Sequence, residues 1–269
     1  LYERLSNLVA GTDDAANVVY NSAYANYYDT NYKLAGHQFK NFSVTFPQDS
    51  RAEEAAYMSA LCYYEGSMDY NLDQTSTDLA INEMQNFLNN YPNSERSKNI
   101  DKLIDELTYK LEFKAYENAK QYYKMADYKA ASTAFENVLD DFPSTKLRSN
   151  IYHYMLKSKY ELAVNSIYGL KKDRIENALS FTKQIEREVP GTDNAKTATE
   201  LQSKLVKEKE AFTELEKKVE ARNKELRDKQ QEMEAAMNLE KDKRSAEQGQ
   251  RDSAALSTPT PAATFKIKK

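Results

Sequence analysis

The sequence predicts an all-α protein, built as a solenoid of stacked helix pairs that is followed by one long helix. Its 269 residues include only 6 Gly and 6 Pro, and the abundant Ala, Glu, Lys and Leu favour helices joined by short turns. A fixed spacing of small, large and proline residues recurs along most of the chain. Between Thr192 and Gly249 there is no Gly or Pro, which predicts one uninterrupted helix.

The recurring pattern consists of a small residue, large residues four and seven positions later, and proline at twelve. Offsets of four and seven place these side chains on one face of a helix, which the proline then ends. This arrangement is typical of the second helix of a tetratricopeptide unit. The four copies are Ala35, Phe39, Phe42 and Pro47; Ala80, Met84, Phe87 and Pro92; Ala131, Phe135, Val138 and Pro143; and Ala178, Thr182, Ile185 and Pro190.

A fifth, degenerate copy lies at the front, where Leu1, Leu5 and Leu8 keep the offsets and Asp13 replaces the proline. We therefore expect about five units, the first one truncated, with its partner helix upstream of Leu1. Successive copies are spaced more widely than a standard unit, and a polar insertion over 66–78 accounts for part of the excess. The predicted domains are an array over 1–192, a charged helix over 193–245 and a disordered Ser, Thr, Pro and Ala tail over 246–269.

The charged helix carries an incomplete heptad pattern. Apolar residues recur every seven positions, but charges interrupt the companion positions that a coiled coil would require. A single helix, braced on a partner or standing in solvent, is the favoured interpretation; a coiled coil with another chain is the alternative. The recurring residues are Leu205, Phe212, Val219, Leu226 and Met233.

Residues that carry enzyme chemistry are sparse. His37 and His153 do not lie at the spacing of a metal site, and the glycines do not cluster as a phosphate-binding loop requires. The single cysteine, Cys62, excludes an intrachain disulfide. With 38 basic and 42 acidic residues, the chain has no electrostatic footprint for nucleic acid. We expect a non-catalytic protein without cofactor or metal.

Two stretches resemble a known family. YNLDQTSTDLAINEMQNFLNNYPNSERS (70–97) and KAYENAKQYYKMADYKAASTAFENVLDDFPSTKLRSN (114–150) are similar to the outer-membrane assembly lipoprotein BamD, in the form carried by Bacteroidetes-like bacteria. The resemblance covers Leu1 to Asp193. It implies a lipoprotein on the periplasmic face of the outer membrane, anchored through an acylated cysteine that is not in this chain.

The resemblance also implies a function. Members of that family dock on the periplasmic domains of the barrel-forming assembly protein BamA and help to receive unfolded outer-membrane proteins. A non-catalytic scaffold of the β-barrel assembly complex is therefore the expected function. The alternative is a generic periplasmic tetratricopeptide adaptor for envelope or cell-wall processes.

Candidate binding residues follow from composition and from the polarity of the family. The chain has 20 Tyr and no Trp, and tyrosines at helical spacing predict either a client-binding groove or a packing face between repeats. The family associates its N-terminal units with clients and its C-terminal units with the assembly partner, which we map onto 17–64 and 135–193. The client-binding candidates are Asn17, Tyr20, Tyr24, Tyr27, Tyr57, Leu61 and Tyr64; the partner-docking candidates are Arg148, Tyr152, Lys171, Lys172 and Arg174.

Overall fold

The computed structural model describes residues 2–256, and within this range it contains helices and turns but no strand. No helix of this range combines the length and the hydropathy that crossing a bilayer would require. The backbone divides into two compact units, Leu1–Leu205 and Val206–Lys269. The helices are α1 (Tyr2–Leu8), α2 (Ala15–Tyr28), α3 (Tyr32–Thr45), α4 (Ala52–Glu65), α5 (Thr75–Asn90), α6 (Ile100–Lys124), α7 (Tyr128–Asp141), α8 (Arg148–Val164), α9 (Tyr168–Glu188) and α10 (Asp193–Leu256).

The first unit contains the predicted array of helix pairs and the first part of α10, up to Leu205. Each helix from α2 to α8 packs on the next one along the chain, and the pairs are α2 with α3, α4 with α5, α6 with α7, and α8 with α9. All twelve small and large residues of the four pattern copies are buried. The all-α solenoid fold is thus confirmed, because each copy supplies the core-facing stripe of a second helix.

The second helices end in the same way. The residue before each proline has φ between −121° and −132° and ψ between 56° and 70°, outside the helical region. A following proline disfavours the helical conformation, so the sequence itself sets these boundaries. The N–H group of each residue still bonds to the carbonyl four positions earlier. These residues are Phe46, Tyr91, Phe142 and Val189.

Helix α6 joins two parts of the core. Ile100 and Leu107 pack with residues of α4 and α5, whereas Tyr116 and Ala119 pack with residues of α7 and α8. The predicted insertion is a loop over 66–74 that contacts the middle of α6. Its contacts include Ser67 Oγ, which accepts from Nζ of Lys110 (2.8 Å), and the ring of Tyr70, 4.7 Å from that of Phe113.

The front copy of the pattern behaves differently from the others. Helix α1 packs on α2, and Leu5 is half-buried. Leu8, however, is 78% exposed, although its counterparts in the other copies are buried. Leu1 lies outside the described residues.

The described part of the second unit is the continuation of α10 from Val206. The helix extends to Leu256, past the predicted boundary at 245, because Gly249 alone does not interrupt it. Ion pairs at helical spacing join Glu225 to Lys229 and Glu240 to Arg244, both at 2.6 Å. The remainder of the predicted tail, 257–269, lies outside the described residues.

Candidate binding surfaces

The tyrosines of α2 pack against the core and are also partly exposed. The Tyr20 ring lies 5.0 Å from the ring of Tyr24 and 5.1 Å from that of Phe42. Tyr24 meets the ring of Phe39 edge-on at 4.9 Å. Such pairs stabilise the interface between α2 and α3. One side of each ring therefore packs against the neighbouring helices, and the opposite side remains partly exposed.

The tyrosine hydroxyls connect successive first helices. Tyr24 donates from Oη to Oε1 of Glu54 at 2.5 Å, which links α2 to α4. Tyr64 donates from Oη to Oε2 of Glu106 at 3.1 Å, which links α4 to α6. Burial, with the neighbouring carboxylate adding to it, raises the pKa of both hydroxyls. Each hydroxyl therefore stays protonated as a donor, and the surface presents neutral rings beside carboxylates.

Arg51, which the sequence analysis did not single out, contacts two of the client-binding candidates on α2. Arg51 donates from Nη1 to Oδ1 of Asn17 at 2.9 Å, and its guanidinium lies 4.8 Å from the centroid of the Tyr20 ring. Arg51 also donates to the carboxylate of Asp49, and these bonds lower the pKa of Asp49 to about 2. Its position four residues after Pro47 is the signal that identifies it.

The same signal finds a second arginine. Arg96 follows Pro92 by four residues, lies 5.8 Å from the centroid of the Tyr57 ring, and pairs with Glu53 at 3.5 Å. In both units, then, the loop after a second helix places a guanidinium on the tyrosine of the preceding first helix. The candidates Asn17, Tyr20 and Tyr57 are thus held by residues of the loops.

The partner-docking candidates fall into two groups. Arg148, Tyr152 and Arg174 line a groove of about 870 Å³ between α7, α8 and α9. Lys171 and Lys172 do not line it and lie near the start of α9. The groove is lined by Ser132, Glu136, Leu139, Asp140, Pro143, Arg148, Tyr152, Met155, Lys159, Leu162, Arg174, Asn177, Ala178, Ser180, Phe181, Gln184 and Glu188.

Hydrogen bonds fix the charges at one end of the groove. Arg148 donates from Nη1 to Oη of Tyr152 at 3.2 Å, and Tyr152 donates to Oε2 of Glu188 at 2.7 Å. Arg148 also donates to the carbonyl of Pro143. The hydrogen bond from Tyr152 lowers the pKa of Glu188, which therefore stays ionised as an acceptor.

The other end of the groove pairs an ammonium group with a carboxylate above an apolar floor. Lys159 Nζ lies 2.6 Å from Oε1 of Glu136 and 5.1 Å from the centroid of the Phe181 ring. Met155 and Phe181 are buried. Charges held above buried apolar side chains suit an amphipathic protein segment. Sequence reasoning missed Glu136 and Lys159, which are 23 residues apart and give no local pattern.

Near the start of α9, two of the docking candidates donate hydrogen bonds to the turn between α8 and α9. Lys171 donates from Nζ to the carbonyl of Val164 at 3.0 Å, at the C-terminal end of α8. Arg174 donates from Nη1 to Oγ of Ser166 at 2.9 Å. Arg174 therefore belongs to both the groove and the turn. Among the described residues, no group of three or more His, Cys, Asp or Glu is arranged to hold a metal ion.

Stacked helix pairs that present a tyrosine-rich face and a groove with fixed charges define an all-α, tetratricopeptide-like solenoid. The family model described as YfiO, outer membrane lipoprotein, matches residues 2–176, which is more than half of the chain. The chain belongs to this family, the BamD outer membrane lipoprotein family. A comparison with curated proteins finds no match. The family description supports association with the outer membrane.

Proposed function

We propose that the chain is a non-catalytic scaffold of the outer-membrane β-barrel assembly complex. In this proposal it docks on the periplasmic domains of a BamA-type protein and helps to receive unfolded outer-membrane proteins for insertion. Membership of an outer membrane lipoprotein family supports this assignment. An acylated cysteine upstream of Leu1 would hold the array at the periplasmic face of the membrane.

The observation that carries the proposal is the groove between α7, α8 and α9. Its floor is apolar, Lys159 is paired with Glu136, and Glu188 accepts a hydrogen bond from Tyr152. An amphipathic partner segment can therefore bury apolar area there without leaving these charges unpaired. Arg148, Tyr152 and Arg174 would contact the assembly partner, together with Lys159 and Glu136 at the other end of the same groove.

Client segments would bind on the other surface, the tyrosine face of α2 and α4. Its exposed ring edges offer apolar contact, and its ordered hydroxyl and carboxylate pairs give it a fixed shape. Extended segments rich in aromatic residues, such as the terminal strand of a barrel protein, fit this chemistry because rigid aromatic contacts contribute strongly to interfaces. Tyr20, Tyr24, Tyr27, Tyr57 and Tyr64 would carry these contacts.

The docking proposal is tested by affinity capture from solubilised outer membranes, followed by quantitative mass spectrometry. We expect near-stoichiometric recovery of the barrel-assembly protein with the native chain and a large loss with Arg174→Glu. Arg227→Glu, which reverses an exposed charge on α10, is the matched control and should not change recovery. Recovery of a different stable partner in place of the assembly protein would favour the generic periplasmic adaptor.

The client surface is tested separately with Tyr24→Ala and Tyr64→Ala. Binding of an unfolded barrel protein should weaken in both variants by more than their loss of stability accounts for. Tyr24→Phe, which keeps the ring but removes the hydroxyl that bonds to Glu54, distinguishes ring contact from ordering of the face. If both alanine variants are less stable but bind clients as the native chain does, the tyrosines only pack the repeats.

A further inference from the structure

Exposed apolar side chains gather at one edge of the third and fourth helix pairs. Met125 is 58% exposed in the turn between α6 and α7, and Ile167 is 72% exposed in the turn between α8 and α9. Tyr122, Tyr168 and Leu170 flank these turns and are also exposed. The turns belong to neighbouring pairs, because the rings of Tyr123 and Tyr154 lie 5.2 Å apart where α6 meets α8.

Lysines accompany these apolar residues. Lys124 and Lys129 lie beside the first turn, and Lys172 lies four residues after Tyr168 in α9; all three are exposed. The acidic residue within the first turn, Asp127, accepts a hydrogen bond from the N–H of Ala130. We call the five apolar residues and three lysines the turn edge: Tyr122, Met125, Ile167, Tyr168, Leu170, Lys124, Lys129 and Lys172.

The opposite edge of the same helix pairs has a different surface. There the chain passes from one pair to the next, and the apolar residues of the connections are covered. Phe142 and Val189 are half-buried, and Leu147 is buried. The exposed residues of these connections are polar, Gly or Pro, among them Pro143 and Pro190. Apolar exposure is therefore a property of one edge, not of the connections in general.

We propose that the turn edge lies on a phospholipid surface that contains anionic headgroups. Tyrosine is enriched where proteins meet the bilayer interface, aliphatic side chains enter the acyl boundary, and lysines attract anionic lipids. The most exposed members, Met125 and Ile167, lie in turns and can therefore reach a flat surface without needing a matching groove. The family places the chain at a bilayer, and the inference rests on that membership, not on the assembly function proposed above.

Charge and apolar contact both contribute to this binding. Each lysine near an anionic surface contributes roughly fivefold in affinity, and burial of Met125 and Ile167 adds the apolar part. Binding should therefore fall with added salt and with neutral lipids. Neither added salt nor neutral lipids should abolish the part of the binding that comes from apolar contact.

The test is co-sedimentation of the 269-residue chain with vesicles, either of phosphatidylcholine alone or with phosphatidylglycerol. We expect binding to the anionic vesicles, a loss of at least about tenfold with Ile167→Glu, and a loss of about fivefold with Lys129→Gln. Val44→Glu is the matched control, because Val44 is 71% exposed on α3, away from the turn edge. Circular dichroism confirms that each variant is folded.

Absence of binding by the native chain to anionic vesicles overturns the inference. Equal losses with Ile167→Glu and Val44→Glu overturn it as well, because the contact would then be unrelated to the turn edge. Capture of the assembly protein with Arg174→Glu is measured without vesicles, so the two proposals fail independently.

Discussion

A buried serine gives the sharpest test of the energetics of the array. Ser158 on α8 is completely buried, and its Oγ has no hydrogen-bond partner among the described residues. A buried hydroxyl without a partner costs about 1–3 kcal/mol. Alanine fits the same space and favours the helix by a few tenths of a kcal/mol, roughly 0.5. We therefore expect Ser158→Ala to raise the free energy of unfolding by about 1–2 kcal/mol.

Ser59 on α4 is the matched control, since it is equally buried but satisfied. Its Oγ donates to the carbonyl of Gly36 at 2.9 Å. Ser59→Ala loses that bond and should lower the free energy of unfolding by about 0.5–1.5 kcal/mol. Urea denaturation followed by circular dichroism measures both variants. Changes of the same sign, or no gain with Ser158→Ala, would refute the assignment of an unsatisfied hydroxyl.

Two further predictions concern glycine packing and histidine titration. A Cβ at Gly36 would lie 3.0 Å from the ring of Tyr63, whereas one at Gly169 would meet open space. Thermal melts should therefore show that Gly36→Ala destabilises the protein by about 1–3 kcal/mol. Gly169→Ala should stabilise it by up to about 1 kcal/mol. Burial, aided by Lys157, lowers the pKa of His153 below 6.5. The unfolded chain thus binds the proton more readily, and stability should fall as the pH drops through about 6.5. His153→Gln should reduce that fall in pH-dependent urea titrations, and an unchanged fall would contradict it.

The fold was predictable because its determinants are local. The spacing from Ala35 to Pro47 fixes a buried stripe and a helix end within one segment, and the same physics acts in every copy. Even the weakest match, Thr182, is buried. Its hydroxyl can be buried at low cost because it donates to the carbonyl of Leu179 at 2.9 Å. Leu8 shows the limit of the pattern. It keeps the offset of seven residues, but this spacing alone does not say whether a neighbouring helix covers that side of α1.

The binding surfaces were predictable only in part, because their geometry depends on pairs far apart in sequence. Tyr152 and Glu188 are 36 residues apart, and no periodicity connects them. The five docking candidates were chosen by region, and the fold separates Lys171 and Lys172 from the groove because α9 begins only at Tyr168. Residues that stabilise a surface through such distant contacts can therefore be identified only from the tertiary structure.

The insertion that disturbs the repeat length has a structural consequence. Helix α6 carries part of the core beneath the tyrosine face at its first half and part of the core beneath the groove at its second half. Its middle turns, near Tyr109 and Phe113, contact the loop 66–74 through Lys110, Lys114 and Tyr70. Because one helix connects both surfaces, whatever supports its middle also fixes the distance between them. The insertion thus supports the middle of α6 through these contacts, although it lengthens the repeat.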